Sequence, residues 1–147
     1  MKVKVIKQNV GIDVSKDKID VSFSHLTADF RTVAVSTRKF SNTEKGFKQL
    51  QDWEKEADMS VHFTMEATGV YYEGLAYFLY EQEGCLVHVV LPNKACKYAQ
   101  SLGLKSSTDK IDARMLAQMG LDRELWQWQP VSPSLLGLKQ LTRFGTQ

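Results

Sequence analysis

A chain of 147 residues with 43% hydrophobic and 24% charged content, its aromatics spread along the whole length, can build one domain with a real core and is unlike a wholly disordered chain. A formal net charge of +2 is too small to argue a nucleic-acid partner by itself, so the placing of the charges matters more than their sum. No stretch approaches the ~20 apolar residues of a membrane span, and "MKVKVIKQNV" turns polar too early for a signal peptide, so a cytoplasmic protein without membrane contact is expected.

The first forty residues read as strands. Val10, Ile12 and Val14 alternate, and "KIDVSFSH" and "FRTVAVSTRKF" are β-branched and aromatic, with "SKDK" and "LTAD" as turns. Three short strands joined by tight turns predict an antiparallel meander. Helical periodicity begins with "SNTEKGFKQLQDWEKEA", where Ser41 and Glu44 have capping-box spacing and Phe47, Leu50 and Trp53 form an apolar stripe. "VHFTMEA" is then a strand, and "GVYYEGLAYFLYEQEG" a helix with Tyr71, Leu75, Phe78 and Leu79 on one face, closed by Gly84. "LVHVVLP" is a strand ended by Pro92; a helix follows from about Lys94 to Ser101, then a loop from Gly103 to Ser107. "STDKIDARMLAQMG" starts the last helix before Gly120, with Leu116 and Met119 or Ile111 and Met115 as its apolar face.

That order predicts a mixed sheet covered by helices, its first strand central, antiparallel to the second and parallel to "VHFTMEA". Asp13 lies inside the apolar strand "GIDVS", where a carboxylate is costly unless something compensates it, and Glu66 ends "VHFTME" in the same way. Asp109 and Asp112, three apart, are expected to share a helix face, either as helix caps or as part of a site. Four carboxylates from three elements can converge, and divalent cations would remove their repulsion. Two such ions about 3.5 to 4 Å apart form a phosphoryl-transfer centre. Asp17 and Asp20, in the turn and the second strand, read as solvated. Cys85 and Cys96 form no CxxC pair and His25, His62 and His88 stand singly, which points to buried free thiols and away from a zinc site or a disulfide framework.

In "GIDVSKDKIDV", "MEATGVYYEGLA" and "KSSTDKIDARMLA" the chain resembles the three blocks of the DEDD-type transposases, the IS110 family of bacterial insertion sequences, over nearly its whole length. The resemblance implies an α/β, ribonuclease-H-like fold close to that of the Holliday-junction resolvase RuvC, a mixed sheet with flanking helices and a C-terminal helical extension. It also implies that Asp13, Glu66, Asp109 and Asp112 are the catalytic acids and hold Mg2+, with Mn2+ possible. DNA would be the substrate, a structured RNA from the element the guide, and a serine from a second, downstream domain the nucleophile for strand exchange. Residues 1–121 are then expected to be the catalytic domain and 122–147 a linker and the start of a helix, in an N-terminal piece that is inactive alone.

Lys94, Lys97, Lys105, Lys110 and Arg114 bracket the third block and are the candidate nucleic-acid contacts, against the plainer reading of solvated helix faces. Ser107 stands where many family members carry a basic residue, and Lys105 is its possible substitute. After Gly120, Trp126 and Trp128 read as packing residues more than base-stacking platforms, and Leu135, Leu138 and Leu141 as a seam for a partner helix, in the downstream domain or in a second copy of the chain. Three other functions compete. One is an ATP-dependent kinase of the actin and sugar-kinase type, which also opens on "GID" but needs Gly-rich phosphate loops that 9 glycines hardly supply. The others are a RuvC-like nuclease and a binding or assembly module of the same fold without chemistry.

Overall fold

The computed structural model describes residues 4–53, 59–103 and 111–130. Strands β1 (Val5–Val14), β2 (Lys18–Thr27) and β3 (Thr32–Ser41) are followed by α1 (Glu44–Gln51), β4 (Val61–Glu66), α2 (Glu73–Tyr80), β5 (Cys85–Val90), α3 (Pro92–Ser101) and α4 (Ala113–Asp122). The sheet order is β3-β2-β1-β4-β5, with β1 antiparallel to β2 and parallel to β4, as the periodicity predicts.

Side chains alternate across a strand, so the sheet has two characters. On one face Val10, Ile12, Ile19, Val21, Phe63, Met65 and Val87 are buried under Phe47 and Leu50 of α1 and Leu75 and Leu79 of α2. The opposite face carries Asn9, Gly11 and Asp13, then Asp20, Ser22 and Ser24, then His62, Thr64 and Glu66. Small and polar groups there let α4 lie close against the sheet. A second apolar cluster, among them Tyr98, Ile111, Leu116 and Met119, joins α3 and α4.

Several boundaries differ from the periodicity. The cap of α1 is Thr43, whose Oγ1 accepts the Gly46 N–H at 3.2 Å, and not Ser41, because Ser41 is still paired with Lys18 in the sheet. The chain turns at Gly69 (φ 64), so α2 begins only at Glu73 and leaves Tyr71 exposed; the helix ends at Tyr80, and Gly84 (φ 82) belongs to the turn into β5. Pro92 both ends β5 and opens α3, where a missing N–H costs nothing. Asp112 is the N-cap of α4 in extended conformation (φ −103, ψ 178); Asp109, expected to share a helix face with it, lies outside the described residues.

After α4 the chain folds back over the sheet. The Trp128 N–H donates to Val87 O at 2.6 Å, and its ring meets Tyr77 and Tyr80 edge-on at 5.1 and 6.0 Å between centroids, whereas Trp126 is 90% exposed. Leu135, Leu138 and Leu141 lie outside the described residues. Among the described residues no helix is long and apolar enough to cross a membrane.

Candidate active site

Register decides which acids meet. β1 and β4 pair Ile12 with Met65, so Asp13 and Glu66 are the next residues of neighbouring parallel strands, both half-buried and both on the face that carries α4. Backbone contact seats that helix. A Cβ on Gly11 would land on Ala113 O and Ala117 N, and one on Gly120 would land on the side chains of Asn9 and Thr64. Asn9, fully buried, donates from Nδ2 to Ala117 O at 2.7 Å and accepts from Thr64 Oγ1 at 3.1 Å. This clamp sets the N-terminus of α4 over the end of β1.

Asp112 is thereby brought into one cleft with Asp13, a space of about 440 Å³ also lined by Asp20, Arg38, Lys39 and Arg114. A neighbouring cleft of about 370 Å³ shares Asp112 and Arg114 and adds Ser24, Thr32 and Gln118. One carboxylate oxygen of Asp112 accepts the Met115 N–H at 3.0 Å, so the cap is real and leaves the other oxygen for the cleft. Glu66 accepts from Thr68 Oγ1 at 3.0 Å and does not line this cleft. Asn42 ties the surroundings together: its Nδ2 donates to Ser15 O at 2.8 Å and Tyr71 O at 3.0 Å, joining the turn after Asp13 to the loop after Glu66.

Among the candidate cations, Arg114 reaches the acid cleft. Lys94 and Lys97 are exposed on α3 and line a different cleft of about 410 Å³ with Tyr98 and Arg123. Lys105, Lys110 and Asp109 lie outside the described residues. Among the described residues no three His, Cys, Asp or Glu side chains are grouped closely enough to hold a metal ion.

Arg38, Lys39 and Asp20 are lining residues that the sequence pattern did not single out. Asp20, expected to be solvated, is half-buried and sits directly opposite Asp13 in the β1–β2 register. Its place is legible in the tight turn, where Ser15 N–H donates to Lys18 O at 2.9 Å and residues equidistant from the turn face each other.

The histidines also differ from expectation, because His62 and His88 are partners. Their rings stack 5.1 Å apart between centroids, with His62 Nδ1 2.8 Å from His88 Nε2. His88 Nδ1 lies 3.0 Å from Trp126 O; a carbonyl only accepts, so this nitrogen carries the proton and His62 donates to Nε2. Burial lowers both pKa values, that of His62 to about 4, with Lys7 and His88 adding to the effect on His62. Burial also lowers the Lys7 pKa.

The fold these elements define is ribonuclease-H-like. Thermus thermophilus RuvC matches with a TM-score of 0.54 at 10% identity, over 82% of this chain and 99% of its own. RuvC from the same organism in complex with a Holliday junction substrate matches over the same shares with a TM-score of 0.52. At that identity the likeness is one of fold. The family model for transposases of the DEDD, IS110 type matches residues 10–147. The pilin gene-inverting proteins of Moraxella bovis and Moraxella lacunata are each 33% identical over 141 residues, covering 93% of this chain and 41% of the relative. The chain belongs to the DEDD transposase family, and it spans 41% of the length of these two relatives. The DEDD signature and the RuvC-like fold imply use of a divalent metal in general.

Proposed function

We propose that this chain carries the metal-binding part of a DNA recombinase active site, in which Asp13, Glu66, Asp109 and Asp112 hold Mg2+, or Mn2+ in its place. The observation that carries the reading is that Asp13 and Asp112, the N-cap of α4, line one cleft, while Glu66 ends the parallel strand beside Asp13. The donors fit: all are hard carboxylate oxygens, which suit Mg2+ and Mn2+, and the same cleft holds a sealed carboxylate oxygen, Asp20 Oδ1, that takes no hydrogen bond. Bound there, the ion supplies Lewis-acid stabilisation of the charge that develops on the phosphoryl oxygens.

The protein's own groups do the positioning. Asp13 and Glu66 are fixed by the sheet, and Asp112 by its cap bond to Met115. Arg114, Arg38 and Lys39 are placed to hold a DNA phosphate at the cleft, a contact that fixes register without reading sequence. Lys94, Lys97, Lys105 and Lys110 extend the basic surface along the strand. The covalent nucleophile is a serine from a region downstream of residue 147, so residues 1–121 serve as the acid half of a composite site and 122–147 lead toward the other half. A structured RNA as guide and self-association through Leu135, Leu138 and Leu141 complete the proposal.

Metal binding tests it directly. Millimolar Mn2+ should raise the melting temperature of the chain, because a ligand that binds only the folded state stabilises it by mass action, and Asp13→Ala should abolish the rise. A wild-type chain indifferent to Mn2+ would sink the reading. In the longer recombinase, Asp13→Ala should also eliminate recombinant product from donor and target DNA, while the 147-residue chain alone yields none.

A further inference from the structure

The hairpin between β2 and β3 carries a residue that its turn does not call for. Thr27 closes the turn: its N–H donates to Arg31 O at 2.9 Å, its Oγ1 to the same oxygen at 3.1 Å, and the Phe30 N–H donates back to Thr27 O at 2.8 Å. Short hairpin loops of this kind often end on a residue in the left-handed region, where glycine is the usual occupant because a Cβ is strained there. Phe30 holds that place with φ 65, the one residue other than glycine with positive φ among the described residues. Its ring is 80% exposed and belongs to neither apolar cluster. Backbone strain and an aromatic ring in water are both unfavourable, and the fold gains no burial from either.

The turn stands at one end of a groove. β3 is an edge strand, exposed from Thr32 to Lys39, and α4 lies beside it across β2. The two clefts that share Asp112 and Arg114 follow this line. One holds Arg38 and Lys39 beside Asp13; the other runs on through Ser24, Ala34 and Gln118 to Thr32, two residues from Phe30. From Lys39 to Thr32 the strand spans roughly 23 Å, the length of about seven nucleotides at the rise of one DNA strand. Cations stand at both ends and between: Arg38 and Lys39 at the acids, Arg114 in the middle, and exposed Arg31 next to Phe30. Asp29, the acid at the tip, is engaged by Thr27 Oγ1. A protein partner would need an apolar rim around the ring, whereas hydroxyls, an amide and cations line most of this groove. Cations along a groove with an aromatic ring in reach are what a single nucleic-acid strand requires, phosphates meeting the charges and a base meeting the ring.

We propose that this groove is the track of a single DNA strand leaving the acid cleft, and that Phe30 is the platform on which an unpaired base stacks at its far end. The proposal rests on the reading that the acid cleft takes a DNA phosphate, and it adds that the strand is unpaired over the track.

The test is fluorescence anisotropy of a labelled oligothymidylate of about ten nucleotides, within the site sizes such grooves take, titrated with the 147-residue chain in millimolar Mg2+. An oligomer of the same length without bases and a duplex of the same length are titrated beside it. The wild type should bind the thymidylate at least about fivefold more tightly than the baseless oligomer, the lower end of what stacking one base contributes. Phe30→Ala should lose that preference, and Phe30→Trp should keep it. Arg114→Ala should weaken both single strands alike, because a phosphate contact does not depend on the base. Phe30→Gly should also lose the preference while its melting temperature stays level or rises, since glycine adopts the left-handed region without strain. If Arg114→Ala weakens binding but Phe30→Ala keeps the full preference, the stacking role is overturned and the phosphate reading stands. A duplex bound as tightly as the thymidylate overturns the unpaired track. A lower melting temperature for both Phe30→Ala and Phe30→Gly would make the ring a structural one and overturn the proposal. If the wild type binds none of the three, the proposal and the reading beneath it both fall.

Discussion

The two ends of the polar sheet face are built from similar material and behave differently. Toward one end, His62 near the start of β4 closes on His88 within β5, and each ring proton has a taker: His88 Nε2 at 2.8 Å and Trp126 O at 3.0 Å. Burial there penalises charge, so both imidazoles are held neutral and pack as a satisfied polar pair. Where β1 and β4 end, Asp13 and Asp20 face each other around an open cleft, and one oxygen of Asp20 has no hydrogen bond. The first end is complete within the protein. The second stays open to solvent and mixes acids with Arg38, Lys39 and Arg114, which is why the proposed function is assigned to it and a structural role to the histidine end.

α4 spans both ends, running from its cap at Asp112 to Asp122, which accepts the Tyr98 hydroxyl hydrogen bond at 2.6 Å. Lifting it should therefore break the contrast entirely. Gly11→Val would drive a side chain into the backbone of Ala113 and Ala117 and should cost at least about 3 kcal/mol, beyond ordinary overpacking because backbone cannot swing aside. Thermal unfolding should show a large loss, and the Mn2+ response should vanish with it. A Gly11→Val chain that kept both would mean that this contact does not place the site.

The histidine end makes the next largest difference, and acid exposes it. Both folded pKa values lie below the ordinary histidine value of about 6.5, so the fold favours the neutral rings. Their stabilising contribution is fully present above that value and is lost as the pH falls toward about 4, the folded value of His62. Melting temperature should decline between pH ~6.5 and ~5, above the range in which ordinary carboxylates titrate. His62→Gln, which keeps a donor for His88 and cannot ionise, should flatten that decline while leaving Mn2+ binding intact. A wild-type profile flat across this window would contradict the sealed pair.

Much of this contrast is legible in the chain. The alternation of Val10, Ile12 and Val14 and the turn at "SKDK" are local, so strand order, the central place of β1 and the proximity of Asp13 to Glu66 follow from period and turn chemistry. What stays hidden depends on partners distant in sequence. His62 and His88 look solitary because only the parallel pairing of β4 and β5 brings them together, 26 residues apart. Lys39 and Arg38 look like ordinary charges of an edge strand until the meander and α4 bring them to the rim of the acid cleft. Boundaries were displaced where tertiary hydrogen bonds took precedence over local pattern, as at Ser41, whose pairing in the sheet leaves the cap to Thr43.

The smallest effect concerns Asp112, where a helix cap and a proposed metal ligand meet in one side chain. One of its oxygens accepts the Met115 N–H, and loss of such a cap costs about 1 kcal/mol, whereas asparagine caps nearly as well as aspartate. Asp112→Ala should therefore lower the metal-free melting temperature slightly, and Asp112→Asn should leave it close to wild type. Toward Mn2+ the two variants should agree, because asparagine keeps the hydrogen bond but not the charge that holds a divalent ion. Both should lose most of the metal-induced rise. The pair of variants separates the roles: stability follows the hydrogen bond, and ion binding follows the charge. If Asp112→Asn retained the full Mn2+ response, Asp112 would be a helix cap only, and the acid end would depend on Asp13, Glu66 and Asp109 without it.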